Sequence, residues 1–337
     1  MLTKTAVGDD QLAALLDPVG QVERSAPLAG GMFAATFRAD LTDGRRVVVK
    51  VTPADTSRLL RYEHGILGTE EAVYRRAGDR PDLLMPRVLH ADRTRTHVDG
   101  DALVVTFLDG EVWNGLGLDE ATDAAARRDL GAYMARLHTV TGDAFGYPAP
   151  ESGLAARTWP EAFARMVAAL RQDADRWDVH LPLDRLHDVA AHHHTALAEV
   201  RVPHLVHADL WPGNVLLDPV ARTVAGVVDA ERALWGDPLY ELVGADQLGI
   251  GPVDPDLAAG YREAGGTLPV SAAVGGPERP GASTLASPDV RLLLYRAYFA
   301  AVLAVEVVPR AYEGDWVAGY RDTARANLHV MLDQLER

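Results

Sequence analysis

One segment of this 337-residue chain gathers side chains able to move a proton and to hold a hard cation. It reads His207-Ala208-Asp209-Leu210-Trp211-Pro212-Gly213-Asn214, with Asp229 further on. Asn214 follows Asp209 by five residues and Asp229 follows it by twenty. A carboxylate beside a hydroxyl can accept its proton as that hydroxyl attacks phosphorus. An amide oxygen and a second carboxylate suit Mg²⁺, which favours oxygen ligands shared with substrate phosphates. Asp and Asn in loops are ordinarily turn formers, but this spacing fits the template of phosphoryl transfer.

Two further pieces complete the set. Lys50 ends a valine-rich run, where an ammonium is costly to bury without a partner. The stretch that follows offers Glu63, Glu70 and Glu71 as partners. A strand lysine held by a helix carboxylate can point its ammonium at phosphate oxygens; an edge-strand lysine reaching water is the plainer alternative. Gly30-Gly31-Met32-Phe33-Ala34 precedes a strand, and its paired glycines permit a tight turn and close backbone approach to a ligand. It lacks the Gly-Lys-Ser/Thr ending of a Walker A loop.

These residues need elements to position them. Asp43-Gly44 lies between Thr36–Asp40 and Arg46–Val51, a strong hairpin signal. Apolar spacings of three and four predict a helix from about Ser57 to Ala77. Short strands are expected at Arg87–Leu89 and Ala102–Leu108. From about Leu118 the chain is rich in Ala and Leu, and helices are expected over Glu120–His138, Pro160–Trp177 and Leu183–Glu199. Val215–Leu217 and Val224–Val228 flank Asp218-Pro219 and read as a second hairpin, with Asn214 and Asp229 near its open end. The run Gly275–Gly281 reads as a loop. The order implies a small β-rich lobe over 1–108 and a larger helical lobe over 109–337 that carries the catalytic loop and the acceptor site, an α+β architecture.

Composition narrows the function. Lys plus Arg number 33 against 48 Asp plus Glu, a net charge of −15. Such a chain is poorly suited to a nucleic-acid backbone or an anionic membrane surface. The absence of cysteine removes disulfides, thiolate metal sites and cysteine nucleophiles. The opening residues carry no apolar signal core, and Tyr298–Val305 is too short to cross a bilayer, so a cytoplasmic protein is expected. His192-His193-His194 cannot all face one ion on a helix and reads as a solvated face. Trp113, Trp159, Trp177 and Trp235 suit either a core or a cleft.

Taken together, the motifs resemble the aminoglycoside phosphotransferase family, which has the bilobal protein-kinase-like fold. The family loop reads His-Gly-Asp, four residues, Asn; here Ala208 stands in the glycine position. The family metal motif is matched by Val227-Val228-Asp229, then Gly236-Asp237-Pro238 and Glu241-Leu242. Leu210-Trp211 is similar to the fructosamine kinases, relatives with the same fold. The specific motifs cover about 30–110 and 204–245. The resemblance implies Asp209 as catalytic base, Asn214 and Asp229 as magnesium ligands, Lys50 on the nucleotide phosphates and Glu70 as its helix partner. It implies the nucleotide loop at Gly30, Gly31, Met32, Phe33 and Ala34, and a hinge at Val105, Thr106 and Leu108 that bonds adenine. Asp237-Pro238 reads as an N-cap with proline at the first helical position, and the resemblance implies that Asp237 braces the catalytic loop. The activity implied is an ATP- and Mg²⁺-dependent kinase of a small hydroxylated molecule, an antibiotic first and a sugar, amino sugar or ketoamine second. A kinase-like binding module without activity is the third reading, and the full set of Lys50, Asp209, Asn214 and Asp229 speaks against it.

Overall fold

In the computed structural model, residues 5–28, 34–270 and 285–337 are described. Helix α1 (Asp9–Leu16) leads into β1 (Val22–Pro27), β2 (Ala35–Leu41) and β3 (Arg46–Val51). The expected Asp43-Gly44 hairpin joins β2 to β3, with Thr36 opposite Lys50. After α2 (Ile66–Ala77), strands β4 (Val88–Asp92) and β5 (Ala102–Thr106) complete an antiparallel sheet of order β1-β2-β3-β5-β4. The paired glycines therefore lie between the first and second strands of this sheet. The sequence reading had missed β1, whose Glu23, Arg24 and Ser25 leave little apolar signal. Gly30, Gly31, Met32 and Phe33 fall outside the described residues, as does the Gly275–Gly281 run.

Strand periodicity decides which way Lys50 faces. Val47, Val49 and Val51 pack with Ala102, Val104 and the leucines of α1 on one side. Alternation sends Val48 and Lys50 to the other side, opposite Val105 and Leu103, where α2 packs. The expected long helix over 57–77 is broken. Gly65 takes a left-handed φ of 75° and α2 begins only at Ile66, because a residue in that conformation cannot continue a right-handed helix.

Beyond β6 (Glu111–Val112) the chain turns helical: α3 (Glu120–Leu137), α4 (Trp159–Arg176), α5 (Leu183–His192) and α6 (His194–Leu197). Asp119 caps α3 through the Thr122 N–H at 2.8 Å, which is why that helix starts there. The single helix expected over 183–199 is divided at His193, whose ring meets the Leu335 carbonyl at 3.0 Å. Next come β7 (His204–Val206), the expected hairpin β8 (Val215–Leu217) and β9 (Val224–Val227), and β10 (Leu234–Gly236), paired with β7. The chain ends in α7 (Glu241–Ala245), α8 (Pro255–Glu263), α9 (Ser287–Glu306) and α10 (Trp316–Leu335). Helix α9 is buried on every side from Asp289 to Glu306 and forms the axis of the lobe. That burial, not a bilayer, accounts for the apolar run at 298–305; among the described residues no helix is long and apolar enough to cross a membrane. Trp159 belongs to this core, its indole N–H donating to the Tyr295 hydroxyl at 2.7 Å.

One carboxylate joins the two halves at a cost. Asp173 of α4 accepts the backbone N–H of Arg61 at 2.8 Å, and burial pushes its carboxyl up to about 6. Below that pH the group is neutral in the fold; above it a desolvated charge is retained, which disfavours folding. Asp173→Asn keeps an acceptor for Arg61 and removes the charge. The variant is expected to melt above the parent at pH 8, with the difference closing as pH falls through 6. Melting curves across pH 4.5–8 check this, and a variant less stable at pH 8 would contradict it.

Candidate active site

The β8–β9 hairpin ends where sheet and helical lobe meet, and there the candidate side chains converge. The Lys50 ammonium lies 2.6 Å from Glu70 Oε1 and 2.6 Å from Asp229 Oδ1. The open choice among three glutamates is thereby decided. Glu71 instead bonds Arg75 and Arg93, and Glu63 bonds Arg310. Tyr74 stitches the group together: its hydroxyl donates to Glu70 Oε1 at 2.7 Å and accepts the Asp229 N–H at 2.9 Å. Burial opposes the Lys50 charge, but Asp229 and Glu70 outweigh it and hold the ammonium well above its ordinary range. Burial likewise opposes ionisation of Asp229, and Lys50 overcomes it, keeping that carboxyl below its usual value.

Asp209 sits opposite, buried, with both carboxylate oxygens engaged. Asn214 Nδ2 donates to its Oδ2 and to its carbonyl, each at 2.9 Å, and Gln247 Nε2 donates to Oδ1 at 2.6 Å. Burial pushes the Asp209 carboxyl up to about 6 against the pull of the Arg232 guanidinium. Asn214 thus commits its amide nitrogen to Asp209.

The loop that presents Asp209 is held from behind. Glu241, at the start of α7, accepts the N–H of His207 and of Ala208, each at 2.8 Å. The His207 ring meets the Val228 carbonyl at 3.1 Å, tying the loop to the strand end that presents Asp229. Burial lowers the His207 imidazole below its usual value, so it bonds that carbonyl as a neutral N–H donor. Ala208 and Asp229 both adopt left-handed backbone, φ 63° and 69°. Asp tolerates this through its short polar side chain, whereas Ala208 is strained where the family glycine would not be. The expected brace, Asp237, does other work. It caps the Leu239 N–H at 3.1 Å and accepts Arg291 and Tyr295 of α9, each at 2.8 Å. The bracing carboxylate is Glu241, four residues on, a role its acidic-Leu pair did not disclose.

The donor set suits a hard divalent cation. Oxygens of Glu70, Asp229 and Glu231 lie within 4.8 Å of one another, and Glu70 Oε2 is buried without a partner among the described residues. Burial, then the charge of Asp229, pushes the Glu231 carboxyl up to about 8. A second anion beside Asp229 is thus disfavoured while no cation but Lys50 is present, and a bound Mg²⁺ would favour the ionised, ligating form of Glu231. The metal ligands implied by the resemblance, Asn214 and Asp229, do not include Glu231. At the connector, the N–H groups of Thr106 and Phe107 are taken by the carbonyls of Arg87 and Arg46, at 2.9 and 3.1 Å. Val105 is buried within the sheet and Ala34 is buried at the start of β2. Leu108, half-buried, follows the end of β5.

Glu241→Gln retains one acceptor and turns an NH₂ toward the other loop N–H. Leaving a buried donor unpaired costs about 1–3 kcal/mol. The variant is expected to melt lower and to lose turnover while binding nucleotide as before. Calorimetric melting, nucleotide titration and a turnover assay check this; unchanged turnover would show that the loop does not need the brace.

Comparisons with known proteins agree with this geometry. Residues 25–279 match the family model described as the phosphotransferase enzyme family. A crystal structure of a candidate fructosamine-3-kinase from Thermobifida fusca YX-ER1 is similar at TM-score 0.64 and 21% identity, covering 97% of this chain and 100% of that one. A candidate aminoglycoside phosphotransferase from Ralstonia eutropha JMP134 follows at TM-score 0.59 and 15% identity, covering 98% and 99%. A thermostable mutant of the aminoglycoside phosphotransferase APH(4)-Ia, in ternary complex with ADP and hygromycin B, matches at TM-score 0.56 and 18% identity, covering 95% and 97%. At these identities the structures establish the shared fold, the bilobal kinase-like one. The match over most of its length places this chain in the phosphotransferase enzyme family, so it is a phosphotransferase acting on an alcohol group.

Proposed function

We propose that the chain is an ATP- and Mg²⁺-dependent kinase of a small hydroxylated molecule, with nucleotide held between a lobe over 1–108 and a lobe over 109–337. The observation that carries this reading is the Lys50 ammonium shared between Glu70 and Asp229, across from an Asp209 fixed by Asn214 and Gln247. Lys50 would bind phosphate oxygens while Glu70 keeps it in place. Asp209 would orient the acceptor hydroxyl and take its proton. Asn214 and Asp229 would hold Mg²⁺ through oxygen, with Glu231 beside them. When bound, the ion neutralises charge on the phosphates being transferred. The Gly30–Ala34 segment would cover the nucleotide, and the connector at Val105, Thr106 and Leu108 would receive adenine. The backbone around Leu108 is the best placed of the three, since the Thr106 N–H is already taken. Catalysis would come from positioning and fixed charge.

An antibiotic acceptor, and with it resistance, is supported by the hygromycin B complex of a protein with this fold. A sugar, amino sugar or ketoamine is the second reading. It is favoured by the candidate fructosamine-3-kinase and by Trp211, a 36% exposed indole two residues from Asp209, whose face suits a sugar ring. The acceptor would be held mainly by the helical lobe.

Two substitutions separate the central carboxylates. Asp209→Asn keeps shape and removes the proton acceptor, and is expected to lower turnover about 10²–10⁴-fold while Mg-ATP affinity holds. Asp229→Asn removes a metal ligand and Lys50's second partner, and is expected to weaken Mg-ATP binding as well as turnover. Calorimetry of Mg-ATP binding beside ADP release across a panel of hydroxylated compounds reads both. Full activity in Asp209→Asn would overturn the mechanism, and equal loss of nucleotide affinity in both would exchange the two roles.

A further inference from the structure

Asp229 is held at two points, its carboxylate and its backbone N–H, and each has one partner among the described residues. The Lys50 ammonium donates to Oδ1 at 2.6 Å, and the N–H donates to the Tyr74 hydroxyl at 2.9 Å. The two residues before it are fixed through their backbone. The Val227 N–H meets the Leu84 carbonyl and the Val228 N–H meets the Asn214 carbonyl, each at 3.0 Å. At Asp229 that pairing stops and the chain turns left-handed, at φ 69°. Such a conformation costs a non-glycine residue energy and persists where neighbours impose it.

Tyr74 is built to impose it. Glu70 and Tyr74 stand one turn apart on the same face of α2, and both are buried. A phenol has a single proton, and here it goes to Glu70 Oε1 at 2.7 Å. Tyr74 therefore meets Asp229 as an acceptor only, the one role a backbone N–H can use. Burial, then the charge of Glu70, keeps the hydroxyl protonated, well above the ordinary phenol range. One oxygen atom thus links the carboxylate of α2 to the backbone of the turn without passing through Lys50.

The two holds answer a nucleotide differently. An ammonium has three protons. With one kept on Glu70 and the others drawn to phosphate oxygens, none remains for Asp229, whose carboxylate is then free to turn to a cation. The Tyr74 bond uses no group that the phosphates recruit.

We infer that Tyr74 is the positioning residue of the cation ligand: when Lys50 turns to the phosphates, the Tyr74 hydroxyl alone keeps the Asp229 N–H, and with it the left-handed turn that presents the carboxylate to Mg²⁺. This rests on the kinase reading and deepens it. It separates two duties at α2, with Glu70 serving the nucleotide through Lys50 and Tyr74 serving the metal through Asp229.

Tyr74→Phe removes one oxygen and keeps the ring. Calorimetry on the full chain measures binding of AMP-PNP with a chelator present and again with Mg²⁺; the ratio of the two affinities is the strengthening that the ion confers. The variant is expected to bind metal-free nucleotide as the parent does, while the ratio falls about three- to tenfold, the effect of one net hydrogen bond. With Asp229→Asn already in place, adding Tyr74→Phe is expected to lower the ratio no further. An unchanged ratio in Tyr74→Phe, or equal losses with and without Mg²⁺, overturns the inference, the second because Tyr74 would then act through Glu70 and Lys50. A full further loss on top of Asp229→Asn does so too. Because the variant leaves a shielded N–H unpaired and can fold poorly, hydrogen exchange on the parent gives a reading that needs no substitution. Exchange over residues 227–232 is expected to stay slow when AMP-PNP binds without Mg²⁺; faster exchange would show that Lys50 had held the turn, and overturns the inference. A parent that binds no nucleotide in either condition overturns the kinase reading and this inference with it, whereas nucleotide binding with an unchanged ratio in the variant overturns this inference alone.

Discussion

The Lys50 ammonium holds together two carboxylates that would repel each other without it. Glu70 is 20 residues away in the chain and Asp229 is 179, so one charge fastens a strand of the sheet, the helix packed on it and the hairpin of the other lobe. Burying an ammonium is expensive, and burying two acids is more so; the three are stable only together. Tyr74 makes the arrangement geometric as well as electrostatic by bonding the acid of the helix and the backbone of the hairpin at once. The position of every other candidate group follows from this knot, because it sets where the hairpin end lies relative to the sheet.

Behind the hairpin a second carboxylate does the corresponding work for the backbone. Glu241 satisfies two consecutive loop N–H groups that are shut off from water, and the His207 ring bonds the strand that delivers Asp229. Held this way, Ala208 and Asp229 keep left-handed conformations that neither would choose alone. Strain of this kind persists only where surrounding contacts over-determine the chain. Gly244 contributes by having no side chain: a β-carbon there would come within 2.4 Å of the Ala208 carbonyl carbon. The proton-accepting and cation-holding groups are thus placed by a rigid frame and not by their own flexible side chains.

Charge inside the helical lobe is otherwise balanced with care. Arg232, Glu306, Arg310 and Glu63 run as a buried chain of opposite signs from the catalytic region to the turn before α2. Against that background the clustered acids around Lys50 stand out as an imbalance. An imbalance of this kind is relieved when a cation binds.

Much of this was readable from residues alone. The strand alternation around Lys50, the Asp-Gly turn and the spacing from Asp209 through Asn214 to Asp229 are local facts, set by the two-residue period of a strand and the short reach of a hairpin, and they led to the fold and the phosphoryl-transfer chemistry. What depends on distance through space was not readable. Glu63, Glu70 and Glu71 all follow Lys50 within two dozen residues; the resemblance pointed to Glu70, and only the packing of α2 on the sheet shows that it is the one Lys50 meets. Nothing local distinguished Asp237 from Glu241 as the brace of the catalytic loop, since the difference lies in where α7 begins relative to a loop more than thirty residues earlier. The break at Gly65 lies in its left-handed backbone, and the one at His193 coincides with a contact to the Leu335 carbonyl at the far end of the chain; helical periodicity announced neither.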